Sequence, residues 1–146
     1  MALFSRKVDY ALVVLSYLHH RAEGGCARVI AERFGLKSAF TAKVLKLLCV
    51  VGLVAGQRGS GGGYVLARPA GRVRLDELLG LLEEPFQLAD CSGGYEACGL
   101  AGACPVRGAV GEIDRRIRDM LHGVTLAELF DKPCEARHTL GLVGAK

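Results

Sequence analysis

Three cysteines that could bind a metal or an iron–sulfur cluster lie close together in the second half of the chain. Cys91, Cys98 and Cys104 are separated by six and then five residues. The intervening glycines are Gly93, Gly94, Gly99 and Gly102. Because glycine lets a short loop bend sharply, we expect the three sulfur atoms to converge. Thiolates are good ligands for soft metals and clusters, so this loop is the main candidate for chemistry.

The spacing alone leaves four states of this loop open. An iron–sulfur cluster suits it, since such clusters are held by cysteines, with other residues sometimes replacing some of them. Zinc suits it less well, because zinc sites usually contain tighter C-x-x-C pairs. The thiols could also form a redox disulfide or remain unliganded. No side-chain combination in the sequence resembles a catalytic site, so an enzyme is not expected.

The other cysteines and the histidines are less informative. Cys26 and Cys49 stand among apolar residues of helical segments, which predicts that they are buried packing residues. Cys134 is too far along the chain to assign to the loop. No histidine shows the spacing of a metal ligand. The histidines are His19, His20, His122 and His138.

Length and composition predict one domain, or one small domain with an appendage. The chain has 146 residues, and its 51% hydrophobic content is enough to form a core. No apolar run reaches membrane-spanning length, and the N-terminus lacks a signal-peptide pattern. We therefore expect a cytoplasmic protein with reduced cysteines and no membrane partner.

Charge divides the chain into two unlike parts. Residues 1–72 contain 11 Lys and Arg but only 3 Asp and Glu, a net charge of +8. Residues 73–146 contain 8 Lys and Arg and 12 Asp and Glu, a net charge of −4. The first part is therefore the one expected to meet a polyanion, although a chance partition of surface charge would look the same.

The first fifty residues predict three helices, the last two arranged as a helix-turn-helix. The first spans residues 5–21 with Ser5 as its N-cap. The second spans residues 26–34, with Val29, Ile30 and Phe34 directed inward, and Gly35 ends it. The third runs from a Ser38 cap to about residue 51. Its outer face carries small residues and lysines, which suits a helix that approaches base edges closely. A solvated helical hairpin is the alternative.

A basic, glycine-tipped hairpin follows directly. Residues 53–57 and 64–67 are predicted strands, and the sequence R-G-S-G-G-G-Y-V joins them. Such a tip can probe a phosphate backbone or a narrow minor groove, and together with the preceding helices it predicts a winged helix. A plain solvated hairpin is the alternative. The residues expected to contact double-stranded DNA are Ser38, Ala39, Thr41, Ala42, Lys43, Lys46, Arg58 and Ser60.

The second half predicts a helix over residues 75–84, a loop over 89–104, a long helix from Pro105 and a short helix capped by Thr125. The long helix has a narrow apolar stripe, which favours pairing with a partner helix over packing on its own domain. The stripe consists of Val106, Val110, Ile113, Ile117, Met120 and Leu121.

The segments S-R-K-V-D-Y-A-L, I-A-E-R-F-G-L and R-G-S-G-G-G-Y-V-L-A-R-P resemble the Rrf2 family of bacterial transcription regulators, which includes IscR-like and NsrR-like members. The resemblance covers residues 3–131. It implies a mainly α fold with a small β-hairpin wing: a winged helix-turn-helix domain at residues 1–72, and a cluster-binding loop and dimerisation helix within residues 73–146. It also implies a homodimer that binds operator DNA.

The same resemblance implies a ligand set. Cluster-binding members carry three cysteines in this loop, although the first spacing here is one residue longer than usual. IscR-like members have a histidine three residues after the last cysteine, where this chain has Arg107. NsrR-like members instead take a carboxylate from the first helix of the partner subunit, and Asp9 stands at that position. The resemblance thus favours a 4Fe–4S over a 2Fe–2S cluster, with Cys91, Cys98, Cys104 and Asp9 as ligands. A solvated or ion-paired Asp9 is the alternative.

The sequence therefore predicts a repressor that senses redox state, nitric oxide or iron–sulfur status through a cluster. Two other functions stay open. One is a cluster-free winged-helix regulator controlled by thiol oxidation or by a partner. The other is a metal-bearing protein-interaction module whose winged helix is idle.

Overall fold

The computed structural model describes residues 4–59, 62–83, 86–89, 99 and 102–132. Ser60, Cys91, Cys98, Cys134 and His138 therefore lie outside the described residues. The helices are α1 (Arg6–His19), α2 (Ala27–Phe34), α3 (Ser38–Val50), α4 (Leu75–Leu82), α5 (Arg107–Gly123) and α6 (Leu126–Asp131). The strands are β1 (Val54–Gln57) and β2 (Gly63–Leu66), and a 3₁₀ turn spans Ala70–Arg72. The predicted mainly α fold with one β-hairpin is confirmed.

Helix α1 is the centre of the core. Ser5 caps it as predicted, because its hydroxyl accepts a hydrogen bond from the Val8 N–H at 3.4 Å. The fully buried face repeats at three and four residues, which is the period of a helix with one apolar side. That face consists of Val8, Ala11, Val14, Leu15 and Leu18. Helices α3, α4 and α6 and strand β2 all pack against α1.

Helices α2 and α3 are joined by the tight turn that the sequence predicted. Gly35 has φ +63°, a left-handed conformation that favours glycine. Two details differ from the prediction. Val29 and Phe34 are exposed rather than inward, because α2 has only two turns and directs Ile30 and Ala31 to the core.

The third helix also begins differently from the prediction. Lys37 occupies the N-cap position, and Ser38 is the first helical residue rather than the cap. No side chain caps α3. Its start is instead held by a hydrogen bond to α1.

The wing is fixed at its root by a close approach of two backbones. Strands β1 and β2 pair antiparallel from Val54 opposite Leu66 to Gln57 opposite Gly63. Gly25 adds a bridge to the other edge of β2, since its N–H donates to the Tyr64 carbonyl at 3.0 Å and its carbonyl accepts from the Tyr64 N–H at 2.8 Å. A Cβ added at Gly63 would lie 2.7 Å from the Gly25 carbonyl oxygen. Glycine is therefore required where these segments meet.

The second half packs back onto the first. The Leu75 N–H donates to the Val124 carbonyl and the Leu126 N–H donates to the Val73 carbonyl, each at 2.9 Å, which ties the start of α4 to the end of α5. Thr125 caps α6 as predicted and forms a capping box with Glu128. Helix α5 begins at Arg107, two residues after the predicted Pro105, which lies in the preceding turn.

No helix within the described ranges is long and apolar enough to cross a membrane.

The glycine at the wing root provides a stability test. Gly63→Ala should destabilise the fold by about 1–3 kcal/mol, because the new methyl group overpacks against backbone that cannot rotate away. Gly56→Ala is the matched control, since a Cβ there has no atom within 4 Å. Chemical denaturation of both variants measures the difference. Equal free energies of unfolding would contradict the close approach.

Candidate DNA interface and cluster-binding loop

The outer face of α3 is open, small and positively charged. Ser38, Ala39, Lys43 and Lys46 are exposed, and Ala42 is half-buried. Short side chains near the N-terminal end allow a helix to approach base edges, while lysines two turns along reach phosphates. The structure thus brings these five predicted contact residues onto one accessible helix.

Thr41 is a correction to the predicted interface. Its side chain is fully buried, and its hydroxyl donates to the Lys37 carbonyl at 3.1 Å. The hydroxyl therefore satisfies backbone at the start of α3 and does not face the solvent. The prediction placed Thr41 with its outward neighbours, whereas the helical turn directs this position toward the core.

Tyr10 positions the start of α3, a role that was not predicted from the sequence. The Lys37 backbone N–H donates to the Tyr10 hydroxyl at 3.2 Å. The Tyr10 ring also packs edge-on against Phe40, with ring centroids 4.8 Å apart. Since α3 lacks a side-chain cap, this hydrogen bond from α1 takes over one unpaired donor of its first turn. The K-V-D-Y-A segment contained the residue, but only the tertiary fold reveals its partner.

The two wing arginines have different roles. Arg58 is exposed at the end of β1, next to Gly59 with φ +129°. Arg68, at the other root of the hairpin, donates to the Glu77 carboxylate at 2.6 Å and to the Arg72 carbonyl at 3.2 Å. Arg68 therefore anchors the wing to α4, and Arg58 is the wing cation available to a ligand.

Several unpaired cations lie on α3 and the wing. Along the described chain, Lys37, Lys43, Lys46 and Arg58 form no salt bridge. Three other basic residues of the first half are paired: Arg21 with Glu23, Arg28 with Glu32, and Arg68 with Glu77. Within the described ranges, Arg6, Lys7, Arg33 and Arg72 also form no salt bridge. Unpaired cations on α3 and the wing are the charge distribution a polyanion requires.

Of the predicted cluster ligands, only Cys104 and Asp9 fall within the described residues. Cys104 is a half-buried free thiol just before α5. Asp9 is exposed in the first turn of α1, next to Tyr10. Convergence of the three sulfurs stays a prediction.

A buried carboxylate fixes the other end of the cysteine loop. Asp114, on α5, is only 4% exposed. It accepts a hydrogen bond from the Leu88 backbone N–H at 2.7 Å and pairs with Arg118 at 2.6 Å. Leu88 lies three residues before Cys91, so both ends of the loop are attached to α5. The sequence indicates this role of Asp114 only weakly, because an acid four residues before an arginine on a helix usually forms a salt bridge at the surface.

Cys26 and Cys49 were predicted to be buried packing residues, but both are half-buried, and only Cys49 packs against the core. Cys49 lies against the core on α3, and burial raises the pKa of its thiol. A raised pKa lowers the thiolate fraction and hence the reactivity. Cys26 is the N-cap residue of α2.

Helix α5 leaves an apolar seam uncovered. Val106, Ile113 and Met120, seven residues apart, are 57%, 50% and 61% exposed. Val110 and Ile117 fall between them and are half-buried. We call these five residues the α5 seam. Leu121, which the sequence assigned to the same stripe, instead packs into the core of its own chain.

The flanks of α5 carry an ion-pair network. Glu112 accepts hydrogen bonds from Arg116 and Arg115, which lower the pKa of its carboxyl, and Arg115 also pairs with Asp119. These charged groups border the seam and mark its edges.

A helix-turn-helix followed by a two-stranded wing, with unpaired cations on both, defines a winged-helix DNA-binding protein. Comparison with known proteins agrees. The model of the Rrf2 family, described as "Iron-dependent Transcriptional regulator", matches residues 4–132. The chain belongs to the Rrf2 family of transcriptional regulators, and it is therefore a DNA-binding regulator rather than an enzyme, as predicted.

Individual relatives agree with this assignment. The chain is 32% identical over 130 residues to the HTH-type transcriptional regulator IscR of Xenorhabdus nematophila, covering 88% of this chain and 79% of that protein. The structure of T. potens IscR matches with a TM-score of 0.66 and 25% identity, covering 86% of this chain and 84% of that one. The structure of CymR, the global cysteine regulator of B. subtilis, matches in fold with a TM-score of 0.69 and 24% identity, covering 89% and 97%.

The DNA interface can be tested by charge removal. Arg58→Ala should weaken binding to a selected operator by about 1–3 kcal/mol if the arginine contacts base edges. Lys46→Ala should weaken binding to all sequences alike and reduce the salt slope by about one unit. Arg21→Ala removes the same charge from a residue paired with Glu23, and it should bind like the wild type. Fluorescence anisotropy over a salt series measures all three, and equal affinities would contradict this interface.

Proposed function

We propose that this regulator is a homodimeric repressor that senses redox state, nitric oxide or iron–sulfur status through an iron–sulfur cluster bound by Cys91, Cys98, Cys104 and Asp9. The observation that carries the proposal is the attachment of both ends of the cysteine loop to α5. Leu88 is held by Asp114, and Cys104 lies in the turn before the helix, three residues ahead of Arg107. A change in the loop therefore acts on the helix proposed to join two subunits.

The seam of α5 supports a second copy of the chain as its partner. Its apolar positions, 106, 110, 113, 117 and 120, are spaced alternately by four and three residues. That spacing is the a and d pattern of two helices that pack along each other. A twofold dimer would present two α3 helices to successive major grooves, so a pseudo-palindromic operator is expected.

The dimer can be tested by placing charges in the seam. Ile113→Asp combined with Met120→Asp would bury unpaired carboxylates at the interface, at a cost of about 3–5 kcal/mol. Val50→Asp is the control, because Val50 is an equally apolar residue on α3 with 84% exposure. Sedimentation should show monomers for the double variant and dimers for the control. A double variant that remains dimeric would contradict the seam as the interface.

The donor set fits a cluster better than a single hard metal ion. Thiolates are the ligands that clusters prefer, and a carboxylate completes the set as a weaker, exchangeable ligand. Asp9 is exposed, so a group on the partner subunit can reach it. A guanidinium group carries only hydrogen-bond donors and offers no ligand atom, which excludes Arg107 as the fourth ligand. A bound cluster would supply reactivity toward oxidants and nitric oxide.

Asp9 is also well placed to influence DNA binding. It is adjacent on α1 to Tyr10, whose hydroxyl and ring hold the start of α3. A ligand on Asp9 would constrain the first turns of α1. Through Tyr10 it would also constrain the first turn of α3, the proposed recognition helix. Such a ligand shifts the protein between an arrangement that binds DNA and one that does not only if its affinity for the two arrangements differs.

The ligand set can be tested spectroscopically on protein kept free of air. Replacing Cys91, Cys98 or Cys104 by Ala should abolish charge-transfer absorption and bound iron. Asp9→Ala should leave a labile cluster and an intact dimer. Cys26→Ala and Glu23→Ala are the controls, since one removes a thiol and the other an exposed acid outside the site.

Two results would overturn parts of this assignment. Wild-type stability of the cluster in Asp9→Ala would remove Asp9 from the ligand set. A colourless, iron-free wild-type protein that still binds its operator would favour the alternative, a regulator controlled by thiol oxidation or by a partner.

A further inference from the structure

The ends of α1 and α6 bring two consecutive histidines together with an aspartate from the far end of the described chain. His19 is the last residue of α1, His20 is its C-cap, and Asp131 is the last residue of α6. The His19 Nε2 atom lies 2.9 Å from the Asp131 Oδ1 atom. One ligand atom from each of the three residues lies within 4.8 Å of the other two.

The local backbone makes this convergence possible. Consecutive residues within a helix do not face each other. His20, however, leaves the helix with φ −86° and ψ 2°, and its ring lies 4.9 Å from that of His19. The His19 ring is also close to Phe130, with centroids 5.8 Å apart, and its side chain is only 23% exposed. One imidazole is thus held by packing, while Asp131, at 59% exposure, is free to adjust.

We propose that His19, His20 and Asp131 form a binding site for a zinc-like divalent metal ion that joins α1 to α6. Two imidazoles and one carboxylate are a typical donor set for such ions, and three protein ligands leave a coordination position for water. Zinc–ligand bonds of about 2.0–2.2 Å place neighbouring donors closer together than 4.8 Å, so the exposed side chains of His20 and Asp131 rotate inward on binding.

This site is separate from the cysteine loop in position and in chemistry. It contains no sulfur, and it clamps the end of α1 opposite to Asp9 and Tyr10. A bound ion would therefore hold α1, and the contacts that position α3, against the C-terminal helix α6. The proposal does not depend on an iron–sulfur cluster.

The test uses the full chain, without a histidine tag, in which Cys91, Cys98 and Cys104 are replaced by Ala so that thiolates cannot compete. Isothermal titration with Zn²⁺ should show one site, and His20→Ala and Asp131→Asn should each weaken it at least tenfold. His122→Ala is the matched control, because His122 pairs with Asp76 at 2.8 Å without a third ligand. Its affinity should equal that of the parent chain. At a free Zn²⁺ concentration 100 times Kd, the Tm of the parent and control should rise by roughly 5–10 °C, and that of His20→Ala should not.

Two outcomes would overturn the site. One is an equal zinc affinity in the parent chain and all three variants, and the other is a loss of zinc affinity in His122→Ala as large as that in His20→Ala. If the triple Cys→Ala chain does not fold, Co²⁺ absorption of the wild-type chain decides. The nitrogen and oxygen site contributes d–d bands that are separate from any thiolate charge transfer at the cysteines, and this contribution should disappear in His20→Ala but persist in His122→Ala. Retention of the bands in His20→Ala would overturn the proposal.

Discussion

Burial of one face of α1 is the constraint on which the rest of the structure depends. Val8, Ala11, Val14 and Leu15 are almost completely inaccessible, and α3, α4, α6 and β2 all pack around them. Removing this much apolar surface from water is the main favourable term for a chain of this size. Helix α1 contacts α3, the wing and helices α4 and α6. A displacement of α1 would therefore change the packing of each of them.

The sequence predicted the elements whose signals are local. The Ser5 and Thr125 caps, the Gly35 turn and the two wing strands all follow from residues within a few positions of each other, and the structure has them. Prediction was weaker where tertiary contacts decide. A two-turn helix has too few residues to define its inner face, so Val29 and Phe34 were assigned inward although they are exposed.

The candidate site shows the same division. The small and basic residues on α3 could be predicted as DNA contacts from their residue types. The burial of Thr41 and the hydrogen bond from the Lys37 N–H to the Tyr10 hydroxyl depend instead on how α1 packs against α3. From the sequence alone, Asp114 is expected to be an ordinary surface acid. Only the fold places the Leu88 N–H against its carboxylate. His19 and His20 lacked a third partner in the sequence, because Asp131 is 111 residues beyond His20.

The hydrogen bonds between Gly25 and Tyr64 join backbone to backbone. They use no side-chain group, so a substitution of the exposed Arg58 leaves these bonds at the wing root in place. If Arg58 contacts the operator as proposed, its substitution changes DNA binding while these backbone bonds are kept. Under that proposal, the DNA preference of the wing and the folding stability of the domain can change independently.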